Sequence, residues 1–144
     1  MLIPHVVQTE ADKVFVNILN NQTVATADGD AVVWNTSTPD GVRTTQPAAA
    51  TLSLFVGISD GAIAASAYGL AQAYGYKAAA LVSNDTSTAI AAGDVLIPVA
   101  AQDYLNREFS GGDVATLMGW VFAAESVATA ATTQVTYKVF IRAL

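Results

Sequence analysis

The sequence predicts an all-β chain, a single-domain β-sandwich or β-barrel with room for one or two short helical turns. Three observations lead there. Runs of β-branched and aromatic residues recur between turns built on Gly, Asp and Pro, the composition that suits a pleated surface. The alanine-rich segment at residues 62–82, the longest stretch where helix competes, contains Gly69 and Gly75, each costing about 1 kcal/mol in a helix interior. At 144 residues the chain has the length of one ordinary domain.

Taken in order, residues 14–19 read VFVNIL and form the first expected strand. Asp28, Gly29 and Asp30 make a turn, with the glycine supplying backbone freedom. Residues 31–35 follow as a strand containing Trp34. Thr38, Pro39, Asp40 and Gly41 form a second turn. Residues 51–58 are expected as a third strand, with Leu52, Leu54 and Val56 alternating. Tyr68, Tyr74 and Tyr76 favour two strands at about 69–74 and 76–82, kinked at Gly75. Short helical turns are placed at residues 62–67 and 102–108. Residues 135–144 alternate most clearly of all, which ties the C-terminal stretch into a sheet.

There is an internal echo. TADGDAVVW (residues 26–34) resembles IAAGDVLIP (residues 90–98), and the order of the segments that follow is similar. This reads either as two copies of one β unit, at about 24–60 and 88–124, or as the ordinary recurrence of Gly-Asp turns in β proteins. Two such units at this length pack around one core rather than as two domains. Residues 1–21 are read as an N-terminal arm and first strand, and residues 22–144 as the β-rich body.

Composition excludes much chemistry. There is no cysteine, hence no disulfide, thiolate metal site or cysteine nucleophile. His5 is the single histidine, and as a metal ligand it would need partners from other chains. Six basic against 12 acidic residues, a net charge of −6, repel phosphate backbones, so no nucleic-acid partner is expected. No uninterrupted apolar run is long enough to cross a membrane, and the N-terminus lacks the pattern of a signal peptide. No catalytic motif, cofactor site or metal site emerges: Asp28 and Asp30 lack the remaining ligands of a calcium loop, and Gly111–Gly112 lacks the Lys of a phosphate loop. The expectation is a chain that is not an enzyme.

Only 12% of residues are charged, about half the usual share. A surface of Thr, Ser, Asn, Gln and Ala loses little hydration on contact, which favours assembly and a homo-oligomer, dimer or trimer. The candidate interface residues are Leu2, Ile3, His5 and Val6 in the N-terminal segment, and Trp34, Tyr68, Tyr74, Tyr76 and Trp120, since large aromatics anchor interfaces. The two tryptophans are more readily core residues in a small β domain, and interface anchors only if exposed.

A resemblance rests on ordered motifs. GDAVVW (29–34), FVGI (55–58), GLAQAYGY (69–76), IAAGDVL (90–96), MGWV (118–121) and the closing YKVFIRAL (137–144) occur in an order similar to that of small capsid decoration, or cement, proteins of tailed bacteriophages. The similarity spans about residues 24–144. It implies a β-rich structural protein on the outer surface of the capsid, bound to the major capsid protein, bridging neighbouring capsomers and stabilising the shell. It implies no catalytic residue. By analogy, residues 1–9 are an arm reaching onto the shell or a neighbour. The alternatives are another virion component, such as a head-fibre base or tail protein, or a carbohydrate-binding or adhesin module whose aromatics stack on sugars.

Overall fold

The computed structural model describes residues 12–83, 89–107, 120–126 and 134–143. Among them are nine strands: β1 (Val14–Asn20), β2 (Ala31–Trp34), β3 (Arg43–Thr45), β4 (Phe55–Ser59), β5 (Tyr68–Ser83), β6 (Val95–Pro98), β7 (Leu105–Arg107), β8 (Val121–Ala123) and β9 (Gln134–Arg142). The all-β expectation holds. All nine lie in one sheet, ordered β1-β3-β2-β4-β5-β7-β6-β8-β9, and two further pairings, β1 with β5 and β5 with β9, turn it back on itself. The first closes β1, β3, β2, β4 and β5 into a circuit; the second closes β5, β7, β6, β8 and β9. Between sandwich and barrel, these closures select two small barrel-like circuits that share β5, whose 16 residues are long enough to serve both.

The second circuit repeats the pairing of the first. β1 runs parallel to β3, and β5 parallel to β7. The antiparallel pairs β2–β3, β2–β4, β4–β5 and β1–β5 recur as β6–β7, β6–β8, β8–β9 and β5–β9. The entry turns match atom for atom. Asp30 Oδ2 accepts from the Ala27 N–H at 2.7 Å, and Asp94 Oδ2 from the Ala91 N–H at 2.8 Å. Gly29 and Gly93 sit at φ +93° and +92°, a conformation that costs glycine nothing. The Asp30 and Asp94 carbonyls each accept at 2.9 Å, from Ser59 and Ala123. One spacing in the chain relates Asp30 to Asp94, Ser59 to Ala123, Ile18 to Val82, Val32 to Leu96 and Val56 to Trp120.

Each circuit has a core. Ile18, Val32, Val56, Ile63 and Ala71 fill the first. Ala80, Val82, Ile90, Leu96, Leu105, Val121, Val139 and Ile141 fill the second. Ala31, Phe55 and Ile58, on strands of the first circuit, pack into the second core, so the outer face of β2 and β4 is the seam between them. Main-chain bonds cross the seam at Ala31 N to Asp103 O (2.7 Å) and Leu81 N to Gly29 O (2.9 Å). A side chain at Gly57, φ +155°, would run into the Gln72 carbonyl, where β4 presses on β5.

Local expectations are corrected in four places. Residues 51–58 are not all strand: Leu52–Leu54 form a 3-10 turn before β4, because the Thr51 hydroxyl binds both the N–H and the carbonyl of Ala48 and closes the chain after Pro47. The two strands flanking Gly75 are one strand, with Gly75 at φ +99° accommodating the bend. Residues 62–67 are not helical, since Ile63 bridges to Thr26 and is buried. In residues 102–108, Leu105–Arg107 is strand: buried Leu105 pairs with Val82 and Pro98, and those tertiary contacts override local helix propensity.

Candidate interaction surfaces

The exposed apolar side chains follow from strand alternation. On β1, Val16 and Ile18 turn into the first core, which leaves Phe15, Asn17 and Leu19 on the outside. Register places Leu19 opposite Tyr68, Asn17 opposite Leu70 and Phe15 opposite Gln72. The outer face of this ladder therefore carries Tyr68 (67% exposed), Leu70 (44%) and Phe15 (41%) side by side. Below it, buried Asn20 fixes the exit of β1: its Nδ2 donates to the Val24 and Ile63 carbonyls at 2.9 and 3.0 Å, and its Oδ1 accepts from the Gln22 N–H.

A second aromatic row lies across β5, β9 and β8. Tyr76 is opposite Phe140, Phe140 opposite Phe122, and Tyr74 meets Phe140 edge-on with ring centroids 5.5 Å apart. The three candidate tyrosines do not form one face. A bulge between Val14 and Phe15 in the β1–β5 register inserts an extra residue on β5, so Tyr74 shares the side of Val14 while Tyr68 shares that of Phe15.

Trp34 is half-buried against the first core and lines an open hollow of about 280 Å³ with Pro39, Leu54, Asn35 and Arg43. Two polar groups there hold the loop. Asn35 Oδ1 accepts from the Ser37 and Thr38 N–H groups, and Arg43 pairs with Asp40 at 2.7 Å. Trp120 is half-buried as well: it packs on the second core and stacks on Phe55 at 5.8 Å. Leu2, Ile3, His5 and Val6, with the whole of residues 1–9, lie outside the described residues.

Buried charge lies around Asp28 and Asp30, which the sequence offered only as a turn. The Lys77 ammonium, buried on β5, lies 3.1 Å from both Asp28 and Asp60. Burial opposes ionisation of Asp28, but the Gly61 N–H and Lys77 outweigh it and hold its carboxyl below the ordinary value. Asp30 behaves oppositely: burial, with the charges of Asp103 and Asp28 nearby, pushes it up to about 6 despite the bond from Ala27. Both carboxylates bind main-chain groups of turns, so the arrangement is structural. Among the described residues no group of three or more acidic or histidine side chains is arranged to hold a metal ion. No helix among them is long and apolar enough to cross a membrane.

Phe15, Leu70 and Phe140 were not singled out in the sequence. The alternation of residues 14–19 carried a signal for Phe15, but the opposing residues depend on register.

Neither protein-family models nor curated proteins yield a match to this chain.

Proposed function

We propose that the chain is a non-catalytic structural component of a tailed-phage virion, a homo-oligomer that decorates the outer capsid surface and bridges neighbouring copies of the major capsid protein. The observation that carries this reading is the uncharged face of Phe15, Tyr68 and Leu70 on a scaffold braced by two closed circuits. Such a face offers large anchors at small desolvation cost. On a symmetric lattice, modest contacts repeated many times give stable attachment. The order of sequence motifs shared with capsid decoration proteins supports the same reading, and the net charge of −6 suits basic patches on a shell.

The test is to mix purified protein with heads lacking decoration and follow co-sedimentation, then image the heads by cryo-EM. Saturable binding, and its loss in Tyr68→Ala/Leu70→Ser with unfolding temperature retained, is the expected result. Absence of binding by the folded wild type would end the proposal. The sugar-binding alternative has less support: the Trp34 hollow is chiefly apolar, and Asn35 Oδ1 and the Arg43 charge beside it already bind within the loop.

A further inference from the structure

One edge of β1 has no partner among the described residues over most of its length. β1 pairs with β5 along its whole length, but with β3 only at Leu19 and Asn20. From Val14 to Ile18 no described strand covers the side away from β5. The direction of the main-chain groups is set by the bonds further along. The Leu19 and Asn21 N–H groups donate to Val42 and Thr44 on the β3 side, whereas the Asn20 N–H donates to Ala67 on the other. Alternation then aims the N–H and C=O of Phe15 and Asn17 at the open edge, where no described group binds them. Strand edges are normally protected by charge, proline or a bulge that twists them away. The stretch from Val14 to Leu19 contains no charged residue and no proline, and both Val14 and Phe15 are exposed.

The chemistry of this edge specifies its occupant. Main-chain donors and acceptors at strand spacing are satisfied by another strand. Two copies of β1 run antiparallel about a two-fold axis at Val16 satisfy all of them: Phe15 exchanges both bonds with Asn17 of the second copy, and Asn17 with Phe15 of the second copy. Charge points the same way. Two chains of net charge −6 repel, and a strand without ions is where they meet without burying like charges. We infer that the open edge of β1 joins the same strand of a second copy, making a continuous antiparallel sheet across a symmetric dimer. This rests on, and specifies, the homo-oligomer of the reading above.

Sedimentation velocity on the full chain at micromolar concentration tests it. The wild type is expected to be a dimer. Asn17→Pro removes one outward N–H without touching the ladder to β5, and Asn17→Lys sets like charges against each other across the axis. Each should weaken dimerisation at least tenfold, with circular dichroism and unfolding temperature retained. Tyr68→Ala, off the edge, should dimerise normally. Should Asn17→Pro lose its fold, Asn17→Lys carries the test. A monomeric wild type, or folded Asn17 variants that dimerise undiminished, overturns the inference. The capsid reading fails separately: a dimer broken by these variants that never binds heads retains the strand pairing and ends that reading, while a monomer that decorates heads does the reverse.

Discussion

Lys77 provides a sharp test of how the two circuits are held together. Its side chain is only 7% exposed, while its partners Asp28 and Asp60 keep 54% and 45% of theirs in solvent. That asymmetry predicts an order of effects. In Lys77→Met the ammonium is gone and the two carboxylates recover hydration where they stand. The lost charge-assisted bonds, each worth about 1.5–3 kcal/mol, are offset by several kcal/mol of ammonium desolvation no longer incurred, so the net loss is about 1 kcal/mol. In Asp28→Asn/Asp60→Asn the ammonium stays buried with amide oxygens in place of carboxylates, and leaving a buried charge uncompensated costs about 3–5 kcal/mol. The acidic double variant should therefore unfold roughly 10–15 °C below wild type, and Lys77→Met only about 3 °C below. Urea titration with constant m-values, together with calorimetry at neutral pH, measures both. If Lys77→Met is the more damaged protein, the cluster acts through packing of the lysine stem, and the electrostatic account is wrong. The depressed pKa of Asp28 adds a check: its stabilising contribution is present above the ordinary carboxylate pKa, disappears as pH falls through the lower folded value, and should be reduced but not abolished in Lys77→Met, where the Gly61 N–H still binds the carboxylate.

Three further outcomes are expected. Asp30 titrates near 6 in the folded chain against 3.8 when unfolded, so its contribution to stability is greatest below 3.8, declines up to about 6 and is flat above. Asp30→Asn keeps the acceptor for the Ala27 N–H, so it should flatten that decline and be about 1–2 kcal/mol more stable than wild type at pH 7.5; a less stable variant by urea titration refutes this. Gly57→Ala should cost about 3 kcal/mol or more, because the added carbon meets the Gln72 carbonyl and the positive φ disfavours it; a loss under 1 kcal/mol in thermal melts would show that β4 shifts freely on β5. Trp120→Ala should cost about 2 kcal/mol by emptying the stack on Phe55, whereas Tyr68→Ala should change stability by less than about 0.5 kcal/mol; equal losses would contradict the packing of the one and the exposure of the other.

Much of the candidate surface was hidden in the sequence for one reason. Tyr68, Tyr74 and Tyr76 look like a single row, yet an extra residue in the β1–β5 register sends Tyr68 to one side and Tyr74 to the other. Trp34 and Trp120 looked equivalent, and both are half-buried against a core; only packing gives Trp34 the wall of a hollow and Trp120 a stacked partner in Phe55. The stretch from Leu105 to Arg107 is polar and short enough to suit a helical turn, and it is strand because Val82 and Pro98 flank Leu105.

Residue order alone determined that the chain is β-rich, that Gly29-Asp30 and Gly93-Asp94 open turns, and that residues 14–19 and 135–142 alternate. These are local matters, set by side-chain branching, glycine freedom and a period of two. Tertiary structure decided the rest: the double closure on β5, the repeated pairing, the burial of Lys77 between two carboxylates and the edge of β1 left without a partner among the described residues. Each depends on which distant strands become neighbours and in what register, and hydrogen bonds between backbones that are chemically alike leave no local mark on the residues that make them.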